Sequence, residues 1–184
     1  MRYSYLLILP LLAACQPGGA PTRQVPLNFQ PDEGYRSVTL GSSKYHLAEA
    51  KSYPLIDSWT YHLPSETKDK WTRRIDTYRY KKVDAAEIYK QMQQATANQS
   101  QKVNAAARTV CFVTEKEDGK IKEPQVWRYA DVAQGSKTNT YGTGVIWRFN
   151  TGTDYTNFMQ KAFPVACTAM RSQQVIAPPP LSKP

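Results

Sequence analysis

Short runs of apolar and polar residues alternate along most of the chain, which is the pattern of half-buried β-strands. Such runs predict strands at 35–40, 44–48, 55–63, 71–82, 108–114, 125–129 and 141–149. Residues 41–43 and 117–120 are predicted to form turns, and a polar stretch at 134–140 leads into the strand at 141–149. No internal repeat is visible.

Two segments have helical spacing instead. The first begins at Asp84, which with Glu87 has the form of a capping box. Its apolar positions recur up to about residue 98: Ala85, Ile88, Tyr89, Met92 and Ala95. A second helix is predicted from Thr153 or Asp154, its N-cap. We expect Pro164 to kink or end this helix because proline lacks a backbone N–H, which leaves Cys167 just beyond it.

The order of these elements is strands, helix, strands, helix, which predicts a single α+β domain at 35–171. We expect an antiparallel sheet with two helices packed on one face. The Pro- and Gly-rich residues 15–34 are predicted to form a tether, and the Pro-rich residues 172–184 a flexible tail. A docking peptide is the alternative interpretation of that tail.

The first residues have the composition of an export signal. Arg2 precedes an apolar run at 5–14, about half the roughly 20 residues that a membrane-spanning helix needs. Leu12-Ala13-Ala14-Cys15 resembles the lipobox of bacterial lipoproteins. The resemblance implies a signal peptide at 1–14, cleavage before Cys15, and palmitate-type lipid on that cysteine. An ordinary signal peptide beside a coincidental cysteine is the competing interpretation.

The lipobox resemblance also implies a compartment. Lipoproteins with Asp after the lipidated cysteine are retained in the inner membrane of Gram-negative bacteria, and here Gln16 follows it. We therefore expect a lipid-anchored protein of the cell envelope, on the outer membrane facing the periplasm in a Gram-negative host. In such an oxidising compartment Cys111 and Cys167 are expected to form a disulfide. Two buried free thiols, or one reactive cysteine, are the alternatives.

A second resemblance covers about two-thirds of the chain, from Trp59 to Cys167. The pattern is a Trp71-Thr72 pair opening a strand, a helix, a cysteine-bearing strand, a late aromatic strand and a terminal helix with cysteine. It is similar to a loose group of bacterial envelope proteins without established activity. The resemblance brings no catalytic residues to this chain.

Motifs that carry chemistry are lacking in the sequence. There is no His-Glu-x-x-His and no cysteine cluster, so we expect neither a metal site nor a cofactor. Gly142-Thr143-Gly144 lies in a predicted strand, where glycine marks a bulge or a close backbone approach. We expect no enzyme; a hydrolase that uses scattered carboxylates remains the alternative, because their spatial separation is invisible in sequence.

Positive charge is the feature most suggestive of a partner. The formal net charge is +9, which favours acidic partners. Cations and aromatic residues interleave at 68–82, and the candidate binding surface there consists of Arg73, Arg74, Tyr78, Arg79 and Tyr80. Strand alternation puts Arg74, Tyr78 and Tyr80 on one side and Arg73 and Arg79 on the other. A solvated strand face over an aromatic core is the competing interpretation.

Three functions are compatible with these features. The leading one is a binding or scaffold module in an envelope assembly, such as a secretion or conjugation apparatus. The others are a binder of acidic glycan or lipopolysaccharide, and an envelope hydrolase. The expected partners are a membrane through lipid on Cys15, other envelope proteins, and acidic glycans or lipid head groups. No specific nucleic acid is expected.

Overall fold

A single antiparallel sheet organises the protein. The structure, a computed structural model, describes residues 27–99 and 102–181; the predicted signal peptide and Cys15 lie outside them. The strands within the described residues are β1 (Phe29–Pro31), β2 (Ser37–Leu40), β3 (Ser43–Ser52), β4 (Ile56–His62), β5 (Arg73–Tyr80), β6 (Lys102–Asn104), β7 (Thr109–Lys116), β8 (Ile121–Gln134), β9 (Lys137–Trp147) and β10 (Phe149–Asn150). Their order is β1-β2-β3-β4-β5-β9-β8-β7-β6, and β10 pairs with β8.

The longest hairpin corrects one prediction. The predicted strands cover 125–129 and 141–149, with the polar stretch 134–140 between them, but β8 and β9 stay paired out to Gln134 and Lys137. Gly135, at a φ of 61°, supplies the left-handed conformation of the two-residue turn. Cross-strand backbone hydrogen bonds do not require apolar side chains, so this exposed end of the hairpin remains polar.

Two helical segments complete the α+β domain, and this predicted class is confirmed. The first is α1 (Ala85–Ala95). The second runs through α2 (Thr153–Asn157), a π-helical turn (Phe158–Ala162) and α3 (Phe163–Met170). Pro164 does not end it, because it stands in the first turn of α3, where a missing N–H is tolerated. Cys167 consequently lies inside α3 and not beyond it.

Each helix covers its own set of sheet residues. Helix α1 packs against the cluster that includes Val110 and Phe112, whereas α3 packs against the cluster that includes Cys111. Successive residues of a strand point to opposite faces, so at β7 the two helices lie on opposite sides of the sheet. We call the α1 side the outer face and the α3 side the inner face.

Only half of the predicted capping box forms at α1. Asp84 Oδ1 accepts a hydrogen bond of 2.8 Å from the Glu87 amide, as expected of an N-cap. The Glu87 carboxylate does not return to the cap; it accepts a hydrogen bond from the Gln91 side chain one turn later. The last helix also differs from expectation, because its N-cap is Gly152 and neither Thr153 nor Asp154.

Both ends of the domain extend further than the sequence predicted. Leu27 is only 2% exposed and β1 begins at Phe29, so the domain starts within the predicted 15–34 tether. At the other end Ile176, 2% exposed, lies in the inner-face core, within the predicted flexible tail. Leu27 and Ile176 are single apolar residues within Pro- and Gly-rich or Pro-rich segments, so no periodic pattern indicated that they would be buried.

Side chains of the sheet hold the C-terminal segment 173–181 by its backbone. Thr143 Oγ1 accepts from the Ile176 amide at 2.8 Å. Tyr141 Oη donates to the Pro178 carbonyl at 2.6 Å, and the Gln134 side-chain Nε2 donates to the Ala177 carbonyl at 2.9 Å. These bonds replace strand pairing, which a segment interrupted by prolines cannot sustain.

The paired glycines of β9 allow aromatic rings to lie on the sheet. A Cβ at Gly144 would stand 2.4 Å from Trp127, and one at Gly142 would stand 2.7 Å from Tyr129. The predicted close backbone approach at these glycines is therefore confirmed. It lets Trp127 and Tyr129 fill the outer-face core under α1.

Candidate functional site

The candidate site lies at one rim of the sheet. We call the rim at which β1, β3, β5 and β8 begin the proximal rim, and the opposite one the distal rim. Because the sheet is antiparallel, β4, β7 and β9 end at the proximal rim. The loop at 63–72, the turn at 117–120 and Arg148 therefore meet there.

Trp71 is the centre of this site. Its ring is 6% exposed and has two guanidinium groups within cation–π distance. The Cζ of Arg74 lies 4.5 Å from the ring centroid and that of Arg148 lies 5.1 Å from it. The Arg148 amide also donates to the Thr72 carbonyl at 2.8 Å, which fixes the end of β9 against the start of β5.

Buried carboxylates hold both guanidinium groups. Arg74 Nε lies 3.1 Å from Asp76 Oδ2, and Arg148 Nε lies 3.7 Å from Glu123 Oε1. Asp76 is only 1% exposed, and this burial raises the pKa of its carboxyl group against the opposing charge of Arg74. Each of the two guanidinium groups therefore lies between a buried carboxylate and the Trp71 ring.

His62 stacks on the same indole, with ring centroids 6.4 Å apart. Burial and the positive charge of Arg74 lower the pKa of His62, so its imidazole is neutral at neutral pH. Among the residues that the structure describes, neither ring nitrogen has a hydrogen-bond partner. His62 therefore packs as an aromatic side chain and adds no charge to the site.

Two exposed lysines complete an open cleft with a volume of about 570 Å³. Its cationic lining residues are Lys68, Arg74, Lys116 and Arg148, and its acidic ones are Glu117 and Glu123. We call this group of four cations around Trp71 the cationic cleft. Fixed guanidinium groups flanked by mobile ammonium groups suit a phosphate, sulfate or carboxylate ligand.

The candidate surface predicted from sequence is divided by the structure. Arg74 lies in the cationic cleft, and Tyr78 stacks on Trp127 of the outer face with ring centroids 5.5 Å apart. Tyr80 packs in the same outer-face cluster. Arg73 instead donates to the Tyr45 hydroxyl, and Arg79 pairs with Asp57. The predicted alternation is confirmed, and Arg73 and Arg79 do not join Arg74.

Half of the cationic cleft was missed by sequence reasoning. Lys116 ends β7 and Arg148 follows β9, far along the chain from the basic stretch at 68–82. Only the pairing of β5 with β9, of β9 with β8 and of β8 with β7 brings these residues beside Trp71. No local motif marks them.

The two remaining cysteines lie on the inner-face side of the sheet. Cys111 of β7 and Cys167 of α3 are at disulfide distance, with a Cα–Cα separation of 6.0 Å. A bridge between them would join the middle of the sheet to the last helix.

Comparison of the chain with protein-family models, curated protein sequences and solved structures finds no match in any of the three. Across residues 27–99 and 102–181, no helix has the length and apolar character needed to cross a membrane. In the same residues, no three His, Cys, Asp or Glu side chains are grouped so that they could hold a metal ion.

Proposed function

We propose that this protein is a lipid-anchored binding module of the cell envelope, and that its cationic cleft binds acidic groups of its partner. The observation that carries the proposal is the convergence of Lys68, Arg74, Lys116 and Arg148 on one open cleft. A contact with another envelope protein, as in a scaffold, would use the same cleft through acidic side chains of that protein.

The cleft favours binding because its arginines are held in place beforehand. Arg74 and Arg148 each have a buried carboxylate on one side and the Trp71 ring on another. Little side-chain entropy is then lost when an anion binds to their remaining N–H groups. The exposed Lys68 and Lys116 attract the anion at longer range.

The envelope location rests on the lipobox sequence Leu12-Ala13-Ala14-Cys15. The approach of Cys111 to Cys167 is consistent with an oxidising compartment. A diacylated cysteine with a further acyl chain gives stable anchoring, whereas one chain gives only marginal binding.

Lipid on Cys15 is tested by metabolic labelling. In cells given an alkyne palmitate, the wild-type protein should become labelled and the Cys15→Ala variant should not, because the Cys15 thiol is the group that accepts the lipid. The protein is visualised by fluorophore attachment after gel separation. Equal labelling of the two proteins would contradict the anchor.

Binding of acidic groups is tested with heparin as a polyanionic probe. The double variant Lys68→Gln, Lys116→Gln should elute from immobilised heparin at clearly lower salt than the wild type, because two ammonium groups leave the cleft. Both lysines are exposed, so folding should be preserved.

The matched control is Lys82→Gln, Lys137→Gln, which removes the same charge from exposed positions at the distal rim. Equal elution of the two double variants would show that net charge alone retains the protein, and the cleft would not be the binding site. Arg73 and Arg79 are unsuitable for such substitutions, because both arginines are bonded within the fold.

A further inference from the structure

We infer that the acidic groups bound by the cationic cleft are anionic lipid head groups of the membrane that carries the anchor. The inference rests on the proposed function and adds the identity of the ligand. It follows from where the cleft lies relative to the point at which the preceding chain enters the domain.

The chain from Cys15 enters the domain at the proximal rim. Phe29 of β1 pairs with Leu40, and Leu40 pairs with Ser43, the first residue of β3. Leu27, just before β1, therefore lies at the rim where β3 and β5 begin. Lys68, Lys116 and Arg148 stand at this same rim, in the loop before β5 and at the ends of β7 and β9.

The connection to the anchor is short. With Leu27 buried in the core, only residues 16–26 separate the domain from Cys15. Their Pro- and Gly-rich composition predicts a root-mean-square span of about 18 Å. Strands β1 and β5 are separated by three others, which places the cleft about 19 Å along the rim at about 4.8 Å per strand. A membrane surface is thus within reach of the cleft.

The chemistry of the cleft fits such a surface. Phosphate oxygens of a head group can accept from the fixed guanidinium groups of Arg74 and Arg148, which match phosphate geometry. Exposed Lys68 and Lys116 interact with the negative surface potential of neighbouring lipids. Tethering raises the effective concentration of lipid at the cleft, so even weak contacts would orient the domain on the membrane.

The test uses the mature chain from residue 15 with Ala in place of Cys15. Without covalent lipid, any binding of the protein to vesicles must come from the folded domain and the segment before it. Co-sedimentation is measured with vesicles of phosphatidylcholine alone and of phosphatidylcholine mixed with phosphatidylglycerol. We expect binding to the anionic vesicles only, weakened about 25-fold by Lys68→Gln with Lys116→Gln, at about fivefold per cation near the surface. The distal-rim variant Lys82→Gln, Lys137→Gln should weaken binding to the anionic vesicles less than about threefold, because its charges lie far from the cleft.

Soluble glycerol phosphate, at the same total concentration as the phosphatidylglycerol head groups, should not displace the protein from the vesicles, because a free anion lacks the surface potential of the bilayer. Displacement would assign the cleft to a free phosphate and overturn the lipid inference. Equal losses in the two double variants would also overturn it. If heparin binding depends on Lys68 and Lys116 while anionic vesicles are not bound, the inference fails and the proposed function stands. If neither probe depends on these lysines, both fail.

Discussion

Replacement of Asp57 by alanine is expected to lower the free energy of unfolding by about 3–5 kcal/mol, as is typical when one partner of a buried ion pair is removed. Asp57 is fully buried in β4 and pairs with Arg79 and, at 2.7 Å, with Lys81. The Ser52 hydroxyl donates a further hydrogen bond of 2.7 Å. Without the Asp57 carboxylate, Arg79 and Lys81 remain charged and partly buried but have lost the negative charge that they pair with.

The same group should make stability depend on pH. Burial of Asp57 opposes ionisation, but hydrogen bonds from Lys81, Ser52 and Arg79 outweigh it and lower the pKa of its carboxyl group. A folded-state pKa below the unfolded value stabilises the protein above the unfolded pKa. That contribution is lost as the pH falls through the folded pKa.

Urea denaturation at neutral and acidic pH measures both effects. The loss caused by Asp57→Ala should be largest at neutral pH and should shrink in acid. Asp69→Ala, at an exposed loop position, serves as the control and should leave stability within about 0.5 kcal/mol of wild type. An Asp57→Ala protein as stable as this control at neutral pH would refute the structural role.

Removal of both cysteines, Cys111→Ala with Cys167→Ala, should lower the free energy of unfolding of the oxidised protein by about 4 kcal/mol. The estimate follows from the chain-entropy model for a sequence separation of 56 residues. The Cα–Cα distance of 6.0 Å lies within the range that a disulfide spans without backbone movement.

Denaturation with and without dithiothreitol isolates the contribution of the bridge. Reductant should destabilise the wild type nearly to the level of the double variant and should not affect the double variant itself. Mass spectrometry of protein alkylated rapidly during purification should find the two peptides joined. Two alkylated thiols in every molecule would contradict the bridge.

The strands and the first helix could be predicted from sequence because their patterns are local. Alternation of apolar residues marks β2 to β5, and helical spacing after Asp84 marks α1. An amphipathic helix shows that it has one apolar face, but not which face of a sheet receives it. The positions of α1 and α3 on opposite sides therefore required the three-dimensional structure.

The site was less predictable because it is built from separate parts of the chain. Arg74 could be singled out within the basic stretch, but Arg148, which shares the Trp71 ring with it, and Glu123, the partner of Arg148, become its neighbours only through strand order. Strand alternation places Arg74 and Arg79 on opposite faces, but it does not show which of the two lies in the cationic cleft. The difference is that Arg79 lies directly across from Asp57 in the pairing of β4 with β5.

Ile176 and Pro178, held by Thr143 and Tyr141, have a consequence for the order in which the protein can assemble. A chain emerging from the ribosome or a translocation channel will already contain β1 to β10, both helical segments and both cysteines of the pair before these residues appear. Until then the inner-face core lacks Ile176, and the hydroxyls of Thr77 and Thr143 lack the Ile176 backbone groups that they contact in the folded protein. Completion of the core therefore follows synthesis of the sheet and helices that surround it, and during that interval part of its apolar inner face is open to chaperones and to aggregation.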